Sequence, residues 1–358
     1  MIISGICFLY AEISLNYRRN VLYSRVTAMK SLYSFLALTC ALIPWTRVMA
    51  QTTLTSSTPV IGFYKFDVPA GTSAWTCGLV TKKQFQGAMS GTVPSSAKST
   101  ITVSTAAWSP ATFDLHYVEI LSGAQQGLII DIDPATPNTT TQLTVIGKTT
   151  GPGSLGLEGN ESFCIRRHAT LGTVFKNGAG LQAFSDLVTI IGVDGQEKLF
   201  GFDGTNWRDG GFTVFSDNVI IYPGQGFLIT SGSGAQLTFG GAEVAYVRSG
   251  PLKVPAYGGK RNLIGIVSPV VSTPSSAASS VAGSGLGLVA FLNPFSDVIN
   301  TFSNDGQLRD QAIFGSDGQK LVDGSFSVDR SGFLFPNGSV FVTTPASDVL
   351  YTQPALVP

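Results

Sequence analysis

The chain has 358 residues, 12% of them charged and 44% hydrophobic, with 41 Gly and 18 Pro. An average chain is about 25% charged and about 7% Gly, so the low charge and high glycine exclude a charged disordered protein and a coiled coil or helical bundle. Lys plus Arg balance Asp plus Glu at 22 each, and no basic run exceeds a pair, so no nucleic-acid partner is expected.

Residues 29–50 read MKSLYSFLALTCALIPWTRVMA. Lys30 supplies a positive start, Leu32 to Trp45 an apolar stretch, and Val48-Met49-Ala50 a small-residue cleavage site, the pattern of a secretory signal peptide. The apolar stretch is shorter than the ~20 residues a spanning helix needs. Residues 1–28 carry Arg18, Arg19 and Arg25 ahead of it, and translation is expected to start at Met29. Cleavage after Ala50 leaves a chain from Gln51. Removing five basic residues and Glu12 from 22 and 22 leaves 17 and 21, a net charge of −4. No second apolar run of membrane length follows, so no membrane span is expected after cleavage.

Downstream, short β-branched runs bounded by Gly, Pro, Asn or Asp predict strands at 101–105, 117–121, 127–132, 143–147 and 219–222. Asp-Gly or Asn-Gly pairs begin at 194, 203, 209, 305, 317, 323 and 337. Such pairs supply the positive φ that tight hairpins require. One short helix is expected at Pro274–Ala282 with Thr273 as N-cap; the same Ser-rich segment also reads as a linker.

The chain repeats itself. Phe184-Ser-Asp-Leu-Val188 recurs as Phe295-Ser-Asp-Val-Ile299, and Asp-Gly-Gln at 194–196 recurs at 305–307. Ile220–Ile229 matches Phe333–Val342, and Phe66–Val80 matches Leu252–Val267. The offset changes between the last pair and the others, which places an insertion of its own strands at about 92–168. The expected organisation is all-β: a first lobe at 51–244 carrying that insertion, and a second, related lobe at 245–358, each barrel- or sandwich-like.

The turn Asp203-Gly-Thr-Asn-Trp207 before Tyr-Pro-Gly-Gln-Gly-Phe-Leu-Ile, the segment Lys-Arg-Asn-Leu-Ile-Gly-Ile-Val at 260–267, and the insert's His-Tyr-Val-Glu-Ile-Leu and Glu-Ser-Phe-Cys-Ile-Arg-Arg-His carry a resemblance. They resemble a paralogous family of uncharacterised, signal-bearing, Gly-rich β proteins of Verrucomicrobia-type bacteria. The resemblance implies a secreted β fold and no particular chemistry.

Candidate chemistry is sparse. The two histidines, His116 and His168, lack a nucleophile-elbow serine, so a Ser-His-Asp hydrolase is not expected. His116 reads as a half-buried strand residue and His168 as a surface or strand-end residue. No short Cys/His pair suggests zinc. Cofactors are expected to be absent; calcium is the one metal question, because Asp131, Asp133, Asp203, Asp209, Asp305, Asp310, Asp317 and Asp323 sit mostly beside glycine turns. None follows a calcium-loop spacing, and hairpin chemistry accounts for the Asp-Gly pairs. Cys77 and Cys164 survive cleavage, and a disulfide between them and two buried thiols are both open. Trp207, Tyr222 and Tyr257 are the candidate ligand-binding residues, with Trp207 the best placed for exposure because charged and turn residues surround it. Trp75 and Trp108 are weaker candidates. These residues point to an exported, secreted, cell-surface or periplasmic protein that binds or assembles without catalysis, its partner an extracellular glycan or another surface component. The alternative is a secreted polysaccharide hydrolase, which would need two carboxylates about 5–10 Å apart in a cleft.

Overall fold

Every ladder between named strands is antiparallel, and the chain is all-β, as its β-branched runs and turn pairs dictate. The computed structural model describes residues 64–94, 98–105, 107–111, 113–147, 156–239, 246–247, 250–267, 280–282, 288–302, 313–330, 334–336 and 340–354. The expected signal segment 29–50 and the start at Met29 lie outside these, as do Thr273 and Pro274. The described residues belong to one unit, Pro59–Pro358.

Two five-stranded sheets carry the lobes. The first contains β1 (Gly71–Thr76), β2 (Leu187–Ile191), β3 (Glu197–Phe202), β4 (Trp207–Asp209) and β5 (Gly226–Ser231), in the order β4-β3-β2-β5-β1. The second contains β6 (Asn262–Gly265), β7 (Val298–Thr301), β8 (Ile313–Ser316), β9 (Leu321–Asp323) and β10 (Val340–Thr343), in the order β9-β8-β7-β10-β6. Each strand of the second sheet thus takes the place of the strand five before it. Registers agree as well once Ile229 is matched with Thr343, one place beyond the Val342 that the sequence match gave: Val188 pairs with Phe200 and Ile229, and Ile299 pairs with Phe314 and Thr343. A two-stranded ribbon joins each lobe, Tyr64–Val68 with Ala235–Phe239 in the first and Leu252–Ala256 with Val349–Gln353 in the second.

The recurring Phe-Ser-Asp has a structural cause. Asp186 is buried and accepts hydrogen bonds from Gln182 N–H at 2.9 Å, Ser231 Oγ at 3.0 Å and Gly232 N–H at 3.1 Å. Asp297 is buried likewise, accepting from Asn293 N–H at 3.2 Å and Ala346 N–H at 3.3 Å. The carboxylate satisfies backbone donors that no strand reaches. Phe184 and Phe295 beside them take positive φ, 61° and 57°.

Both faces of β5 are covered. Phe227 and Ile229 of β5 join the first lobe's core with Trp75, Val188 and Trp207, whereas Leu228 turns to the other face. That face meets the second sheet in a shared core of Ala74, Ile191, Leu228, Leu263, Phe302 and Val340. A strand buried on both sides reads as an unbroken apolar run rather than an alternation, which is why Gly-Phe-Leu-Ile looks as it does.

The insert forms a sandwich of its own. Its four-stranded sheet runs Lys83–Ala88, Ser162–Arg167, His116–Ile120, Ile129–Asp131, and its three-stranded sheet runs Gly91–Pro94, Lys98–Thr102, Gln142–Ile146. Ile101, Val118, Val145 and Phe163 close the core between them. The sheet begins at Lys83, ahead of the expected edge at about 92, because Lys83–Ala88 pairs with Ser162–Arg167. At the other expected boundary, 244/245, Tyr246–Val247 pairs back onto Leu79–Val80.

Two further expectations change. Ser280–Ala282, the end of the expected helix, is a strand paired with Leu334–Pro336, so the ladder overrides the helix propensity of Ala282, with β-branched Val281 suited to a strand. Among the Asp-Gly turns, Gly195, Gly204 and Gly318 take positive φ, but Gly210 and Gly324 do not. There Phe212 and Phe326 carry the positive φ, 58° each. Gly210 and Gly324 are needed for close approach instead: a Cβ would stand 3.0 Å from Leu199 Cβ and 2.5 Å from Ile313 Cγ2. Gly306 and Gly338 lie outside the described residues.

Candidate ligand cleft

A cavity of about 440 Å3 opens where the insert and both lobes meet, within the ~300–1,000 Å3 range of small-molecule sites. The insert contributes Ile129 and Ile146, the first lobe Ile190 and Phe200, and the second lobe Val254 and Leu263. The third wall is held in place by Lys253 N–H, which donates to Gly127 O at 3.0 Å.

Two of the three sequence candidates meet here. Tyr222 and Tyr257 both line the cleft and are half-buried. Tyr222 opens a tight turn, Tyr222-Pro-Gly-Gln225, closed by Gln225 N–H to Tyr222 O at 3.0 Å. Pro223 sets one central φ and Gly224 takes the other at 79°, as a type II turn requires. Tyr257 follows the ribbon strand Leu252–Ala256, and its backbone is pinned by Asn262, whose Oδ1 accepts Tyr257 N–H at 2.8 Å. Burial pushes both phenols above their ordinary pKa, so they are neutral donors near neutral pH.

Trp207 is not there. It is 1% exposed, packed in the first lobe's core against Phe175 and Phe202, and its indole N–H donates to Phe175 O at 3.1 Å. The polar neighbours that suggested exposure are turn residues. Asp203 accepts the N–H groups of Thr205 and Asn206, and Asp217 accepts that of Trp207 itself at 2.6 Å, so the backbone is tied outside while the ring turns inward. Trp75 is also buried, and Trp108 is half-buried edge-on to Phe85.

The cleft floor holds a pairing that no sequence pattern indicated. Asp131 Oδ2 accepts the Tyr222 hydroxyl at 2.7 Å, and Oδ1 lies 3.1 Å from His168 Nε2. His168 is 2% exposed, not a surface residue. The Arg166-Arg167 pair beside it suggested solvent, yet Arg166 is itself buried in an ion pair with Glu119 at 2.8 Å. His168 Nδ1 is buried without a hydrogen-bond partner. No serine hydroxyl bonds either ring nitrogen among the described residues, so the Asp-His pair stops short of a nucleophilic triad. His116 is buried in the insert, its Nδ1 against Asp114 O.

The other acidic candidates separate. Asp133 pairs with Lys98 at 2.5 Å and Thr136 at 2.6 Å. Asp203, Asp209, Asp317 and Asp323 bind the N–H groups of their own turns, which depresses each pKa. Among the described residues no group of three or more His, Cys, Asp or Glu is placed to hold a metal ion. Asp305 and Asp310 lie outside them. Cys77 and Cys164 are both buried thiols with no disulfide. Among the described residues no helix is long and apolar enough to cross a membrane. No family model, curated protein or solved structure matches the chain.

Proposed function

We propose that the chain is an exported β protein, secreted, surface-held or periplasmic, that acts by binding and not by catalysis, with its ligand in the cleft of Tyr222 and Tyr257. The observation that carries this reading is the make-up of that cleft: two tyrosines on separate lobes, an aliphatic lining, and Asp131 as the one carboxylate among the described lining residues. Glycoside hydrolysis uses a pair of carboxylates flanking the bond, so the polysaccharide hydrolase is the weaker reading. Export is supported by the signal-like pattern of residues 29–50. The matched strand order of the two sheets supports a duplicated lobe.

A glycan is one surface partner of this kind, since tyrosine rings stack on sugars. The test is a glycan array and calorimetric titration with the processed protein, alongside Tyr257→Ala. Binding that the variant loses supports the reading. Turnover of a polysaccharide by the wild type would replace it with the hydrolase.

A second reading, structural assembly, is favoured by a separate observation. Phe184, Leu199 and Val214 are exposed on the first lobe, and their counterparts Phe295, Ile313 and Val328 are exposed on the second. Phe184 and Phe295 are 66% and 64% exposed. Apolar groups exposed at matching places are what a shared contact surface needs.

A further inference from the structure

The polar groups of the cleft differ in what they have left to offer. Asp131 has one oxygen taken by Tyr222 and the other facing His168. Gln225 is committed to backbone on both sides, accepting Tyr222 N–H at 3.0 Å and donating to Ile191 O at 3.1 Å. Asn262 is committed likewise to Tyr257 and Lys260. A sugar needs several open donors and acceptors, and these amides are closed to it.

The cations are not closed. Lys198, Lys253 and Arg261 all line the cleft. Lys198 lies 4.0 Å from Asp194, beyond hydrogen-bond reach. Lys253 donates to Ala124 O at 2.7 Å and Gln125 Oε1 at 2.8 Å, which leaves one of its three N–H groups. Arg261 places only Nη1 on Glu197, leaving most of its fork. Lys198, Lys253 and Arg261 thus keep N–H groups to offer at the cleft; Asp131, the one carboxylate among the described lining residues, is already served, Asp194 and Glu197 stand beside Lys198 and Arg261, and most of the remaining lining is apolar.

We infer that the cleft takes a small amphiphile with an aliphatic body and a single anionic head, of the fatty-carboxylate kind. This rests on the cleft's being a binding site, as proposed above. The body lies along Ile129, Ile190, Val254 and Leu263, and burial of its methylenes drives association. The head sits with the cations, where charge complementarity favours an anion over an ammonium. Burial lowers the Lys253 pKa, and an anion beside it would oppose that shift.

The test is calorimetric titration of the full processed chain with three probes of equal length: decanoate, decanol and decylammonium. Decanoate is expected to bind most tightly, with a negative heat-capacity change. Arg261→Gln and Lys198→Gln, both at exposed side chains, are expected together to weaken decanoate about tenfold and to leave decanol unchanged. Decanol binding as tightly as decanoate, or a double variant that leaves decanoate unaltered, would overturn the anionic head. If no alkyl probe binds but a glycan does, and Tyr257→Ala abolishes that, the ligand class is wrong and the binding reading stands. If neither class binds, both fail.

Discussion

The Tyr222 hydroxyl donates to Asp131 at 2.7 Å across 91 positions of sequence. The bond joins the first lobe's type II turn to the insert's edge strand, at the floor of the cleft. It is a partly buried bond to a charged acceptor, with His168 on the carboxylate's other oxygen. The insert is thereby fastened to the lobe that carries it by side chains as well as by chain continuity.

Tyr222→Phe keeps the ring and removes this bond. The expected loss is about 1 kcal/mol, since water can reach the partly exposed carboxylate and replace the lost donor. Urea midpoints of Tyr222→Phe, Asp131→Asn and the double variant measure it. A coupling of about 0.5 kcal/mol or more is expected; simple additivity would show that the bond contributes nothing.

Acid should weaken the fold through the turn carboxylates. Asp203 is held down to about 2 by the N–H of Asn206, the Arg208 guanidinium and the N–H of Thr205. Its folded value lies below the ordinary 3.8, so the unfolded chain binds the proton first. The stabilisation is complete above about pH 4 and is lost as pH falls through 2. Thermal midpoints between pH 2 and 6 should fall along that limb, and less steeply in Asp203→Asn. Parallel curves for the two proteins would exclude Asp203 from the effect.

The thiols should be silent. Burial, then the neighbouring Glu119 carboxylate, pushes Cys164 up to about 12, and thiolate is the reactive form. Cys77 is buried too. Alkylation mapped by mass spectrometry should find both unlabelled in the native protein and labelled in urea, with a melting midpoint indifferent to reductant. A midpoint that drops on reduction would mean a bridge between the insert and the first lobe.

The strands were legible because local pattern makes them: β-branched runs between glycine turns fix Tyr117–Val118 and Leu143–Val145 wherever the rest of the chain goes. The matched order of the two sheets was foreshadowed by Phe-Ser-Asp, since a buried Asp capping backbone donors constrains three residues at once. The cleft was legible only at Tyr222 and Tyr257, aromatics beside turns. Its aliphatic walls come from 129–146, 190–200 and 253–264, stretches whose meeting depends on how sheets pack and leaves no local trace. Trp207 misled for a related reason. Polar neighbours report where the backbone of a turn lies, and a side chain on that turn can still point inward. Asp131 and His168 carry no mutual signal at a separation of 37 positions.

The last prediction separates two costs of replacing glycine. Gly204 has φ 94° with nothing within 4 Å of a Cβ, so Gly204→Ala meets backbone strain alone, about 1–2 kcal/mol. Gly226 has no positive φ, but a Cβ would stand 2.8 Å from Leu263 Cγ and from Val340 Cγ1, inside the core shared by the two sheets. Gly226→Ala therefore meets crowding alone, about 1–3 kcal/mol. Gly224 has both: φ 79°, and a Cβ 2.6 Å from Val254 Cγ2 and 2.7 Å from Leu252 Cδ2. Gly224→Ala should be the most damaging of the three, and its urea midpoint the lowest. The crowding falls on the second lobe's ribbon, so this variant should also disturb Val254 in the cleft wall and weaken decanoate, whereas Gly204→Ala should leave it bound as before. Equal losses in Gly204→Ala and Gly224→Ala would mean that the two lobes give way at that contact, and that the turn at Pro223 is not packed against the second lobe in solution.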